Sequence, residues 1–581
     1  MTISWPEVEQ QWLARQPDGG LNLAYQCLEH NLASGRSEQP ALIWRGAAGQ
    51  RHCYSYADLT AAARRFAAAL HHHGIRLAER VCTLGPRRPE LYIAALGTLR
   101  HGAVYAPLFS VYGPEPIRRR LELGESRVII TTRALYEERI APIRGALPAL
   151  EHIVLIDGEA PGACSWEAFC AQAEASTPTA AAAGAATLFS AAAGASAPAT
   201  ITTRAEYPAL LHFTSGTTGP PKGVLHVHRA AAAHLVSGRL VLGLEAGTRY
   251  WCTADPGWVT GVSYGLLAPL LCGATLIVDE GGQEAARWYD ILAEERIECW
   301  FTTPTALRML RRRGAPERTY DLSALARIFS TGEPLEAALS MWCSEQLGTP
   351  ARDAWWQSET GAIMTAQYGT DPVVPGRMGR PTPGIEIQLA HVDAERGEIT
   401  PVSAPGETAE LLIKRGWPSM FRAYLGAPQR YREAFVADWY RSGDLAQWDE
   451  AGELRFIGRA DDVIKTAGHM VGPAEVEAIL NHHPEVAECG VSALPDPVSG
   501  SRVAAWVVPR QPPTDPERLR HDLISYARQR LGKAVAPREV NFVEALPKTP
   551  SGKILRRELA AGATAPDPIP PPAAQSPPQS E

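Results

Sequence analysis

The chain has 581 residues, too many for one hydrophobic core, and a length of this order calls for about two to four domains. Apolar residues make up 45% and charged residues 20%, an ordinary globular balance. The net charge of -7, from 56 basic and 63 acidic residues, leaves no footprint of a nucleic-acid or membrane-surface binder.

Ten cysteines stand singly, with no CxxC pair, which speaks against zinc sites and disulfide scaffolds. The opening MTISWPEVEQ lacks a basic stretch followed by an apolar core, so no signal peptide is expected. The most apolar run, LLAPLLCGATLIV at 266–278, is too short to span a bilayer. A cytoplasmic location is the resulting expectation.

In chain order, YADLTAAARRFAAALHHH (56–73) carries alanine and leucine at helical spacing, with Asp58 near its start and Gly74 at its end. RVCTLG (80–85) reads as a buried strand. A helix over 89–101 and a short strand AVYAPL (103–108) follow, and RVIITT (127–132) and HIVLID (152–157) repeat the alternation. The pattern predicts an α/β fold with mainly parallel sheets. The histidine triplet 71–73 falls at a helix end, where consecutive side chains diverge, so a solvated helix end is expected rather than a metal site.

Residues 175–200 are nearly all Ala, Gly, Ser, Thr and Pro, as in a low-complexity surface insertion. The α/β alternation resumes at 207 and is expected to run to about 435. From 461 a compact unit is predicted, with strands ECGVSALP and VAAWVVP and a helix over 516–531. The tail from Ala561 is too rich in Pro and Ala to pack.

FTSGTTGPPKG (213–223) follows the apolar run YPALLHF, which reads as a strand. Glycines let backbone N–H groups turn toward an anion, hydroxyls add donors, and Lys222 adds a point charge, so the loop suits a polyphosphate. The spacing is not that of a P-loop: prolines follow Gly219, and Gly223 stands where a magnesium-binding hydroxyl would be required.

TSGTTGPPKG resembles the phosphate loop of the adenylate-forming enzymes, a superfamily of acyl-CoA synthetases, luciferases and peptide-synthetase adenylation domains. GEP (332–334), WWQSETG (355–361), YRSGD (440–444), GRADDVIK (458–465) and PKTPSGKILRR (547–557) follow in the family's order. The resemblance implies an N-terminal AMP-binding domain (1–460) and a mobile C-terminal domain (461–560), and composition makes 561–581 a disordered tail. The resemblance also implies two half-reactions. A carboxylate attacks the α-phosphate of MgATP to give acyl-AMP and pyrophosphate, and a thiol, usually coenzyme A, then takes the acyl group.

Carried over position by position, the resemblance places Thr214, Ser215, Gly216, Thr217, Thr218, Gly219 and Lys222 on the phosphates of ATP. Gly332, Glu333, Pro334, Asp353, Ala354, Trp355 and Gln357 line the adenine wall, and Ser358 meets the α-phosphate. Glu359 stands as the magnesium ligand, and a carboxylate beside a polyphosphate suits such a hard cation. Asp444 can accept both ribose hydroxyls and Arg459 can donate to sugar or phosphate. Lys553 is the lysine that bridges acid and α-phosphate, and regulatory acylation of Lys553 is a further expectation. Asp461 is the hinge, and Ala467, Gly468 and His469 border the coenzyme A channel.

YWCTADPGWVTG (250–261) and DAWWQSETG most resemble the AMP-forming acetyl-CoA synthetases. Val259, Thr260, Thr331 and Trp356 then line the acyl pocket, and the indole of Trp356 fills space that a longer chain needs. Acetate is expected, with propionate weaker. The chain departs from well-known members at Thr331 (Val there), Ala354 (Thr) and Met470 (often an arginine that approaches phosphate). A ligase for propionate or another small acid, and a non-catalytic nucleotide-binding homologue, are the alternatives.

Overall fold

The computed structural model of the protein describes residues 3–562, except 176–201, 215–220, 314–318, 333–334, 336, 394–395, 460–463, 467–468, 472, 482, 548–553 and 555. Helix Tyr56–His72 starts as its sequence dictates. Ser55 Oγ accepts from the Asp58 N–H and the Asp58 carboxylate accepts from the Ser55 N–H, a reciprocal cap. Its buried face, Leu59, Ala63, Phe66 and Leu70, lies at helical spacing. That face packs on helix Pro89–His101, where a Cβ at Gly97 would come within 2.8 Å of the Phe66 ring and 2.9 Å of the Ala63 carbonyl. Only glycine allows the two helices to approach so closely. Gly102, at φ 85°, ends the second helix in the left-handed conformation.

The expected strands appear as Arg80–Leu84, Val104–Pro107, Val128–Thr131 and His152–Leu155, all paired in parallel. They belong to an eight-stranded sheet. Pro208–Thr214 continues this sheet in parallel beside Val104–Pro107, and Lys222–Val227 returns antiparallel to it. A nine-stranded sheet has a parallel centre, with Arg249–Cys252, Thr275–Asp279, Cys299–Thr302, Arg327–Ser330 and Ala351–Trp355. These strands are buried on both faces, as a parallel sheet requires. The protein is thus a mixed α/β fold with two large, mainly parallel sheets.

The α/β pattern does not extend to 435. Strands Ile387–Asp393, Glu398–Val402, Ala409–Lys414, Trp439–Trp448 and Leu454–Arg459 form a third, antiparallel sheet. Short runs such as AELLIK are buried at every position but the last because that sheet also packs into a core, with Phe421 and Tyr440, so their periodicity does not reveal direction.

Beyond residue 463, Val486–Asp496 and Gly500–Pro509 form a hairpin with Glu539–Phe542 added in parallel, and helix Pro516–Leu531 covers it. Their cluster, with Val491, Val507 and Leu523 at its centre, has its own buried residues. This unit meets the segment before helix Pro114–Leu123: Gly532, at φ 89°, lies so close to the Val111 carbonyl that no Cβ fits.

His73 corrects the solvated-end expectation. Its ring stacks on Phe169 with centroids 4.1 Å apart, and its Nε2 lies 3.2 Å from the Phe169 carbonyl. All but the first residue of the 175–200 insertion, and the tail beyond residue 562, fall outside the described residues.

Candidate active site

Strands Pro208–Thr214 and Lys222–Val227, which flank the glycine loop, pair antiparallel with Thr214 directly opposite Lys222. Ser215, Gly216, Thr217, Thr218 and Gly219 lie outside the described residues. The Lys222 ammonium sits 4.9 Å from the centroid of the Tyr424 ring, within cation–π range. Tyr424 arrives on strand Ala423–Leu425, which pairs antiparallel with the lysine strand. Its phenol donates to Glu359 Oε1 at 2.7 Å. The sequence reading placed Lys222 and Glu359 in one site and missed the tyrosine between them.

The opposite side is built at the carboxyl ends of the parallel strands Arg327–Ser330 and Ala351–Trp355, the usual location of ligands in such sheets. Asp353 and Ala354 lie on the second of these strands. Trp355 and Trp356, adjacent in an extended segment, have different surroundings. Trp355 Nε1 donates to Asp444 Oδ2 at 2.9 Å. Gln357 Nε2 donates to the same carboxylate oxygen and to the Ser442 carbonyl, each at 2.8 Å, while its Oε1 accepts from the Tyr440 hydroxyl at 2.7 Å. The amide can satisfy all three contacts in only one orientation, so Gln357 is locked. Asp444 is only 3% exposed. Across the antiparallel pair it lies opposite Arg459, so both residues singled out for the ribose face one position of the same ladder.

Gly332 closes this wall at φ 89°, and a Cβ there would come within 2.7 Å of the Trp258 ring. That contact joins the segment Thr331–Gly332 to Trp258, which precedes the short helix Val259–Val262. Val259, Thr260, Thr331 and Trp356 are all buried. The indole of Trp356 meets Tyr264 edge-on, with centroids 5.1 Å apart, a favourable aromatic geometry. Tyr264 is itself pinned, since its oxygen accepts from the Ile363 N–H at 2.6 Å and lies 2.9 Å from Ser237 Oγ. The Thr331 hydroxyl donates to the Ala354 carbonyl at 2.7 Å. Two of the departures from the family pattern therefore contact one another. The hydroxyl is taken up by backbone, and Thr331 retains the size and branching of the valine it replaces.

Beneath Ser358 and Glu359 lies His226, which the sequence reading did not single out. Its Nε2 is 2.8 Å from the Ser358 carbonyl and its Nδ1 is 3.0 Å from the Ser419 carbonyl. Burial lowers its pKa to about 4, so the ring is neutral near pH 7 and donates through one nitrogen only. His234 Nε2 lies 2.8 Å from the Gly361 carbonyl. A Cβ on Gly361, at φ 71°, would be 2.5 Å from the Ser419 carbonyl and 2.9 Å from the His226 ring. The last residue of SETG must be glycine for this packing. The run VLHVH (224–228) placed histidine at alternate strand positions among apolar residues, which was the available signal.

Glu333, Pro334, Asp461, Ala467, Gly468 and Lys553 lie outside the described residues. Arg459 ends strand Leu454–Arg459, and His469 opens strand His469–Val471, opposite Thr466. Glu359 fits a hard cation by its chemistry. It is a partly exposed carboxylate, and no arginine or lysine among the described residues forms an ion pair with it. No described helix is long and apolar enough to cross a membrane.

Comparison with known proteins gives the family. The family pattern described as AMP-binding enzyme matches residues 28–425, and that of the AMP-binding enzyme C-terminal domain matches 475–553. Acetyl-coenzyme A synthetase of Bacillus subtilis is 36% identical over 553 residues, covering 94% of this chain and 91% of its own. Acetyl-coenzyme A synthetase of Deinococcus radiodurans is 34% identical, covering 96% and 86%. Among solved structures, an acyl-CoA synthetase of Brucella canis superimposes with a TM-score of 0.66 at 28% identity, covering 96% of this chain and 97% of its own. An anthranilate CoA ligase in complex with anthranoyl-AMP gives 0.65 at 26%, covering 94% and 97%. With the family pattern matched over most of its length and relatives aligned nearly end to end, the chain belongs to the AMP-binding enzymes.

Proposed function

We propose that this protein is an AMP-forming acid–thiol ligase that converts acetate, ATP and coenzyme A to acetyl-CoA, AMP and pyrophosphate. The observation that carries this reading is the near full-length likeness to curated acetyl-coenzyme A synthetases. The walled acyl pocket, with Trp356 braced by Tyr264, supports the small acid.

In this reading the ribose hydroxyls bind Asp444, whose carboxylate Trp355 and Gln357 hold in place, and Arg459 supports sugar or phosphate. Glu333 and Pro334 line the adenine. The Thr214–Gly219 loop and Lys222 hold the phosphates, and Ser358 meets the α-phosphate. Glu359 holds Mg2+, which when bound neutralises phosphate charge.

An acetate oxygen attacks the α-phosphorus and the bond to pyrophosphate breaks. Lys553 spreads its charge over the developing phosphorane. Rotation about Asp461 then replaces Lys553 by the channel of Ala467, Gly468 and His469. There the coenzyme A sulfur attacks the acetyl carbonyl, its proton is lost, and AMP departs. Residues 1–460 would form the adenylating domain and 461–560 the rotating one. Acylation of Lys553 would remove the charge and switch the first step off. A cytoplasmic location suits these substrates.

Steady-state thioester formation with acetate, propionate, butyrate and hexanoate tests the reading. Acetate should give the highest kcat/KM, propionate a lower one, with AMP and pyrophosphate as products. Formation of ADP and phosphate, or a preference for hexanoate, would overturn it.

A further inference from the structure

We infer that Tyr424 is a positioning residue for the metal–triphosphate, holding Glu359 through its hydroxyl and Lys222 through its ring. The inference rests on the reading of Glu359 and Lys222 given above and extends it to a residue that no motif marks.

Five observations converge on Tyr424. Its hydroxyl donates to Glu359 Oε1 at 2.7 Å, which engages one carboxylate oxygen with a proton donor. Its ring lies beneath the Lys222 ammonium at 4.9 Å. Its strand is hydrogen-bonded to the lysine strand, with Tyr424 opposite Val224 and Leu425 opposite Gly223. The same segment also grips the Glu359 backbone, because the Phe421 N–H donates to the Glu359 carbonyl at 3.0 Å. The phenol is buried against Phe421, with ring centroids 4.9 Å apart, so it has little freedom to swing away.

The physical consequence is a division of labour within one side chain. A carboxylate that must meet a cation with oxygen lone pairs gains from a partner that fixes its rotamer without neutralising it. A phenol does this and an arginine would not. An ammonium that must meet phosphate gains from a resting place weak enough to leave, which an aromatic face provides and a carboxylate would not. Tyr424 supplies both. Lys222 and Glu359 lie on different segments, and Tyr424 contacts both.

The test is equilibrium binding of ATP by calorimetry, without acid so that no turnover occurs, in Mg2+ and in EDTA. It compares wild type with Glu359→Gln, Tyr424→Phe and Tyr424→Leu. Tyr424→Phe keeps the ring and the packing, and its Tm should match wild type. It should lose about tenfold of the affinity that Mg2+ adds, the usual consequence of removing a partner of a metal ligand, while ATP affinity in EDTA stays within about twofold. Tyr424→Leu should show the same Mg2+ loss and, in addition, a several-fold weaker affinity in EDTA, because Lys222 loses its ring.

Wild-type Mg2+ enhancement in Tyr424→Phe, beside its collapse in Glu359→Gln, would overturn the role of the hydroxyl and leave Glu359 as the metal residue. Unchanged enhancement in Glu359→Gln would overturn the metal reading of Glu359 itself, and with it this inference. Equal EDTA affinities for the Phe and Leu variants would overturn the role of the ring.

Discussion

Two carboxylates in the site are held in opposite ways. Asp444 is buried and accepts from both Trp355 and Gln357, and Gln357 is locked by Tyr440 and the Ser442 carbonyl. Glu359 is partly exposed and has one phenol donor. The first is organised before any ligand arrives, which suits recognition of a rigid sugar. The second is oriented but not saturated, which suits a cation that brings its own waters and phosphates. The site thus pairs one buried carboxylate held by two donors with one partly exposed carboxylate held by a phenol, and on the proposed reading these serve the nucleoside and the phosphates.

The largest effect should come from breaking the fixed side. Asp444→Ala removes the proposed ribose acceptor and leaves the half-buried Trp355 donor and the buried Gln357 donor without it, at a cost of about 1–3 kcal/mol for the buried one. ATP KM should rise roughly a hundredfold, with a clear drop in Tm. ATP saturation kinetics and a melting curve read both, and an unchanged Tm would mean that the wall is not held by this carboxylate.

Trp356→Gly comes next. It opens the pocket beside Tyr264, so each added methylene gains about 0.8 kcal/mol once there is room for it. Butyrate or longer acids should overtake acetate, by roughly ten- to a hundredfold in relative kcat/KM. Acetate efficiency should fall because a small acid is poorly positioned in a large pocket. An unaltered ranking across the four acids would make Trp356 an ordinary core residue.

A smaller and global effect tests the floor beneath Ser358 and Glu359. Burial lowers the pKa of His226 and His234 to about 4 and of His228 to about 3. His212, whose ring lies 5.9 Å from that of His226, is lowered as well. The unfolded chain, with histidines near 6.5, takes up protons that the folded one refuses. Stability is therefore fully present above about pH 6.5 and falls as pH drops toward 4. Melting temperatures should decline already between about pH 6.5 and 5, a window in which few carboxylates titrate. His226→Gln should flatten the decline, and a wild-type plateau down to pH 5 would contradict the burial argument.

The smallest change should follow Thr331→Val, which removes the bond to the Ala354 carbonyl and keeps the shape. A stability loss of about 1 kcal/mol with an unaltered acid ranking is expected. A changed ranking would place the hydroxyl in the acyl pocket.

Much of this was legible in the sequence because it is local. Helix Tyr56–His72 announces itself by Asp58, Gly74 and a repeating apolar face, and Pro516–Leu531 falls where periodicity put it. Trp355, Gln357 and Asp444 were marked by short strings, and the fold brings them into hydrogen-bond contact. Tyr424 was not legible. It reaches Glu359 across 65 residues of chain and Lys222 through strand pairing, and neither relation leaves a spacing signal. His226 sat in a visible alternation, but its partners Ser358 and Ser419 come from two distant segments. The antiparallel sheet over 387–459 was misread because apolar runs carry no direction.

On the proposed mechanism, acetate is activated as an adenylate before any thiol takes part. Exchange of labelled pyrophosphate into ATP, without coenzyme A, isolates that step. Exchange should require acetate, be weaker with propionate, and be abolished by Lys553→Ala, while that variant still forms acetyl-CoA from pre-made acetyl-AMP and coenzyme A. Absence of acetate-dependent exchange in a wild-type protein that binds ATP, or equal loss of both half-reactions in Lys553→Ala, would contradict it.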